Sequence, residues 1–125
     1  MMSAPNMRTE IWNICQRFGG EYEFVASKNQ AICKLRDGTL AYNIESGVLE
    51  GEFGNISFSM TDISDVKHVD DGVAFDDTRG SRIGLLFDRA VSIEDRTPAR
   101  LKAVVMSHPD PFWPGIKGAW VDIEL

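Results

Sequence analysis

The chain reads as an α+β protein: a single domain (1–125) with one antiparallel β-sheet of about five to seven strands, an N-terminal helix and a second helix near the C-terminus. Three observations predict this. Apolar residues recur at helical spacing near the start and again around residue 100. Between these stretches, short segments alternate apolar and polar side chains, the pattern of strands with one wet face. Turn residues separate those segments too closely for parallel crossovers, so neighbouring strands must run antiparallel. A chain of 125 residues buries about two-thirds of its unfolded surface, which needs no metal or disulfide as a staple. Only residues 1–5 are expected to be mobile.

The first helix is expected in NMRTEIWNICQRFGG, where Met7, Ile11, Ile14, Cys15 and Phe18 form a stripe with Trp12 beside it. Asn6 suits the N-cap and Gly19 the stop. EYEFVAS alternates, with Tyr22 and Phe24 on one face and Glu21 and Glu23 on the other. QAICKLRDGTLAYNI gives two strands joined at Asp37-Gly38, a hairpin signal. Ile44, Gly47 and Gly51 mark bends. NISFSM sends Ile56, Phe58 and Met60 one way and Ser57 and Ser59 the other.

TDISDVKHVDDG places Ile63, Val66 and Val69 three apart, which suits a helical turn or two; a short irregular strand is the alternative. GVAFDDTRGSRIGLLFD predicts a hairpin turning at Thr78–Ser81. In TPARLKAVVMSHP, Thr97 suits an N-cap, Pro98 the first helical position and Leu101, Val104 and Val105 an apolar stripe, so a second helix is expected. GAWVDIEL alternates as a final strand.

Charge is distributed unevenly. Residues 45–77 hold nine carboxylates, Glu45, Glu50, Glu52, Asp62, Asp65, Asp70, Asp71, Asp76 and Asp77, against one lysine, within a chain of net charge −6. Solvated turns account for part of this, since Asp70-Asp71-Gly72 is good turn chemistry. Pairing with Arg79, Arg82, Arg89, Arg96 or Arg100 would account for more. The functional reading is one continuous acidic surface that docks a basic partner. Such a surface steers association and repels nucleic acid itself. It implies an inhibitor, an immunity-type binder or a DNA mimic acting on a nucleic-acid-handling protein. Phe112 and Trp113, in the proline-rich SHPDPFWPGIKGAW, serve either as aromatic anchors for that partner or as a plug at the sheet edge.

No enzyme motif is present: no serine lies in a G-x-S-x-G elbow, and DDTRGSRIG lacks the phosphate-loop spacing. His68 with Asp70 and Asp71, and His108 with Asp110, would make a metal set only if their loops met. Nothing in the sequence brings them together, so no metal and no cofactor is expected. The alternatives to a docking module are a small-molecule binder or minor enzyme with a polar pocket near His68 and His108, and a phage or assembly subunit working through oligomer contacts. A homodimer is compatible with either. Cys15 and Cys33 are expected as buried thiols. The N-terminus lacks the pattern of a signal peptide and no apolar run could cross a membrane, so the expected location is cytoplasmic, with no membrane partner.

Overall fold

The computed structural model describes residues 4–107 and the backbone of residues 119–122. One α-helix, one short 3-10 turn (Ala26–Lys28) and ten strands are present among the described residues. Helix α1 (Met7–Phe18) buries the predicted stripe of Met7, Ile11, Ile14, Cys15 and Phe18. Its first turn is capped by the Asn6 carboxamide, whose oxygen accepts the Thr9 N–H at 3.2 Å. Gly19 ends it in the left-handed region, with φ 74°. A side chain there would also meet the Pro98 backbone at 2.9 Å, so glycine is required twice over.

The strands form two antiparallel meanders, each paired strictly in chain order. The first sheet is β1 (Glu21–Val25), β2 (Gln30–Lys34), β3 (Gly38–Asn43), β4 (Val48–Phe53) and β5 (Ile56–Met60). The second is β6 (Ile63–Val69), β7 (Gly72–Asp77), β8 (Arg82–Phe87), β9 (Leu101–Ser107) and β10 (Ala119–Asp122). The α+β class and the antiparallel pairing therefore hold. The strand count of five to seven is too low, and the strands divide between two sheets rather than one.

The expected second helix is absent: residues 101–107 are strand β9. Tertiary partners override the helical spacing. The Ala99 N–H donates to the Phe18 carbonyl at the end of α1. The Arg100 N–H donates to the Asp88 carboxylate, and the Leu101 N–H donates to the buried Asp37 carboxylate at 2.6 Å. These bonds hold the segment extended, and Val104 then pairs with Leu85 of β8, where β-branched side chains pack well.

Residues 63–69 are likewise the irregular strand rather than helical turns, with a register shift between Ile63 and Asp65. Gly51 is not a bend. It lies inside β4 opposite Phe58, and a Cβ there would fall 2.2 Å from the Phe58 ring, so the ring occupies the space a side chain would take.

Both sheets and the helix share one apolar cluster. Leu40, Leu49, Phe53 and Phe58 come from the first sheet and Val73, Phe75, Leu85 and Val104 from the second. Phe18 of α1 stacks on Phe87 of β8 with ring centroids 4.0 Å apart. The cysteines are fully buried, but they are not thiols: Cys15 of α1 and Cys33 of β2 form a disulfide. Their inward positions on facing elements bring the Cα atoms to 5.6 Å, which no spacing in the sequence reveals. Across 18 residues, such a closure stabilises by about 3 kcal/mol on the chain-entropy account.

On the side of the second sheet, polar bonds add to the Phe18–Phe87 stack. The Arg17 guanidinium donates to the carbonyls of Val69, Asp70 and Gly72 in the β6–β7 turn. It also donates to His68 Nδ1 at 2.9 Å, so that nitrogen must accept, and His68 Nε2–H then donates to the Glu10 carboxylate at 2.6 Å.

Candidate functional site

The register of the first sheet assembles a face that no single segment displays. In β4 the pattern of burial alternates, with Leu49, Gly51 and Phe53 inward and Glu50 and Glu52 outward. Carried across the sheet, Glu52 lies in a row with Ser57, Thr39, Lys34 and Glu21. Glu50 lies in the next row with Ser59, Ala41, Ile32 and Glu23. Glu21, Glu23, Glu50 and Glu52 are all exposed on this face, with Lys34 as its one cation. The two glutamate pairs stand three strands apart, about 14 Å, separated by the short side chains of Thr39 and Ala41. Among the described residues no ion pair or side-chain hydrogen bond engages any of the four.

The outward face of the second sheet is balanced instead. Asp65 pairs across with Asp76, and Asp76 with Arg82. Arg82 grips both Asp76 carboxylate oxygens, at 2.6 and 2.9 Å, and the Lys67 ammonium stands 3.4 Å away. The Asp76 carboxyl is held below its ordinary range, chiefly by the Arg82 hydrogen bond, which outweighs the opposing effect of burial; Lys67 adds to it. Arg82 is raised in turn by Asp76.

The nine carboxylates singled out in the sequence therefore divide. Glu50 and Glu52 share the first sheet's outer face. Glu45 sits in the β3–β4 turn, where the Asn43 side chain accepts the Ser46 N–H. Asp62 follows β5 with φ 56°, its carbonyl accepting the Thr78 N–H. Asp70 and Asp71 form the exposed β6–β7 turn. Asp65 and Asp76 lie on the outer face of the other sheet.

Asp77 is buried, with its side chain 4% exposed, and it organises the β7–β8 turn by accepting the N–H groups of Arg79 and Ser81 at 2.9 and 2.8 Å. Its carboxylate is committed to the turn. Of the arginines considered for neutralisation, Arg82 binds Asp76, Arg79 stands 4.0 Å from Asp77, and Arg89 donates to the Thr97 carbonyl. Phe112, Trp113 and His108 lie outside the described residues. His68 is taken up by Glu10 and Arg17, and among the described residues no group of three potential ligands could hold a metal ion.

Glu21 and Glu23 were legible as the outer face of β1 but not as members of this surface. Joining them to Glu50 and Glu52 needs the register of three intervening strand pairs. Beside this face, a groove of about 470 Å³ runs between β5 and the β7–β8–β9 end of the second sheet. Met60, Ile83 and Met106 supply its apolar lining and Arg79, Ser81 and Ser107 its polar lining. No helix among the described residues is long and apolar enough to cross a membrane. No family model, curated protein or solved structure matches the chain.

Proposed function

We propose that this protein is an interaction module that docks a basic protein partner through the outer face of its first sheet, as an inhibitor or immunity-type binder of a nucleic-acid-handling protein would. The observation that carries this reading is the set Glu21, Glu23, Glu50 and Glu52, four carboxylates against the single ammonium of Lys34 on one sheet face. Like charges gathered on one surface oppose folding, and their field speeds encounter with a cationic partner. The second sheet supports the same reading by contrast, because this chain neutralises outward carboxylates elsewhere. A pocket-based activity near His68 has less support, since both ring nitrogens are already engaged.

The test is capture of basic proteins at low salt by the wild-type protein and by a Glu21→Gln, Glu23→Gln, Glu50→Gln, Glu52→Gln variant. Retention should be lost in the variant and in high salt, where the screening length shrinks to a few ångströms, about 3 Å at 1 M. Equal retention by the variant would reject the acidic face.

The Cys15–Cys33 bond bears on location. Disulfides persist in oxidising compartments and are rare in the cytosol. We therefore infer a compartment that leaves this bond closed, against the cytoplasmic expectation. Thiol labelling of denatured protein taken directly from its native source decides it: two reactive thiols would restore the cytoplasmic placement.

A further inference from the structure

Each sheet has two edge strands, and three of the four edges carry charge. β1 bears Glu21 and Glu23, β6 bears Asp65 and Lys67, and β10 bears Asp122. β6 is also irregular between Ile63 and Asp65. Charges and bulges of this kind discourage a further strand from adding to an edge. β5 has neither. Its sequence, Ile56-Ser57-Phe58-Ser59-Met60, is uncharged and free of proline, and its pairing with β4 is regular throughout. Among the described residues no strand pairs with it on its other side. Alternate backbone N–H and C=O groups along that side point away from β4, and the 470 Å³ groove lies directly beyond them.

We propose that β5 is a docking edge, which accepts an extended segment of the partner as a sixth strand, with apolar residues alternating with lysine or arginine. The idea rests on the acidic-face reading and adds to it where the partner's chain runs. Side chains alternate across a sheet, so one set from such a segment would point inward, over the groove, where Met60, Ile83 and Met106 offer apolar contact beside the already paired Asp77, Arg79 and Arg82. The other set would point outward, beside Ser57 and Ser59 and within reach of Glu50 and Glu52 on the next strand. The inward set fits apolar residues and the outward set fits cations.

A second copy of this chain fits less well. The inward residues of its own β5 are already buried in its own core and cannot enter the groove. Its outward side would also bring a second pair of glutamates, Glu50 and Glu52, toward the first. A foreign segment suffers neither conflict, and strand addition of this type supplies affinity from the backbone and selectivity from alternate side chains.

The experiment uses the full chain and synthetic nonapeptides: alternating valine and lysine, the same composition with the valines grouped, alternating valine and glutamate, and a fully N-methylated valine–lysine version. Calorimetry reads affinity, and amide exchange at Ile56–Met60 reads the edge. The alternating valine–lysine peptide should bind and slow exchange of the outward β5 amides at least about tenfold, as formation of new ladder bonds requires. Glu50→Gln with Glu52→Gln should weaken it about fivefold at low salt, in line with two exposed charge contacts.

Equal binding of the N-methylated or the grouped peptide, with the effect of the glutamines retained, would overturn strand addition and leave the acidic face standing. Equal binding of the valine–glutamate peptide would overturn the basic register. No binding of any peptide, with capture of basic proteins intact, would also overturn the docking edge while sparing the acidic face. Protection of every β5 amide in the free protein, or dimerisation that slows them without peptide, would overturn the proposal as well.

Discussion

The two sheets are alike in strand number, direction and connectivity, yet they treat their outward charges in opposite ways. On the second sheet Asp76 is clasped by Arg82 and approached by Lys67, and Asp77 is turned inward to hold a hairpin. On the first sheet four glutamates face solvent with one lysine among them. The helix is also tied to the two sheets differently, by a disulfide on one side and by the Phe18–Phe87 stack with the hydrogen bonds of Arg17 on the other. The difference teaches that a carboxylate's count in the sequence says little about its availability. What matters is whether the register places a cation beside it.

The largest expected effect concerns the covalent tie. Changing Cys15 and Cys33 to alanine should lower the unfolding free energy by about 3 kcal/mol, the loop-closure contribution, as read by denaturant titration. A loss near zero would show that core packing alone holds α1 to β2.

Next is Asp77. Replacing it with alanine leaves the N–H groups of Arg79 and Ser81 without their acceptor in a partly buried turn. The expected cost is about 2 kcal/mol, within the range for stranded buried polar groups. If Glu52→Ala cost as much, the contrast between the sheets would fail.

Asp76 should show a smaller effect that depends on pH. Its carboxyl titrates below the ordinary aspartate range in the folded protein, because Arg82 and then Lys67 favour the ionised form. The unfolded chain therefore takes up this proton first as pH falls. The stability Asp76 contributes is present at neutral pH and is lost as pH drops through its folded value, below the ordinary range. Asp76 is partly solvated, so the difference between wild type and Asp76→Asn should be at most about 1 kcal/mol and should vanish in strong acid. A difference that grows on acidification would reverse the assignment.

The smallest effect on stability belongs to the first sheet. Glu50→Gln with Glu52→Gln should change the melting behaviour by less than about 0.5 kcal/mol equivalent, with a slight gain if repulsion on that face is relieved. A clear loss would mean that the glutamates serve the fold rather than a partner.

Much of the first half was legible in the residues themselves. The stripe of α1 between Asn6 and Gly19, the Asp37-Gly38 hairpin and the alternation of NISFSM are local patterns, and local patterns survive folding when nothing opposes them. The segment around Leu101 was misread because its spacing satisfies both a helix and a strand. The choice went to the strand through Asp37, Asp88 and the Phe18 carbonyl, all distant in sequence.

The candidate site divides on the same line. Sequence alone determined that residues 45–77 are acidic, that Glu21 and Glu23 share one face of β1, and that β5 is uncharged. Only the tertiary structure decided that Glu21 and Glu23 join Glu50 and Glu52, that Asp76 and Asp77 are consumed internally, and that Cys15 meets Cys33. The reason is physical. Alternation fixes the side of its own strand on which a residue lies, through the two-residue period of the backbone. Which residues of other strands stand beside it is set by pairing across the sheet and by packing through the core, and those contacts leave no periodic trace in the chain.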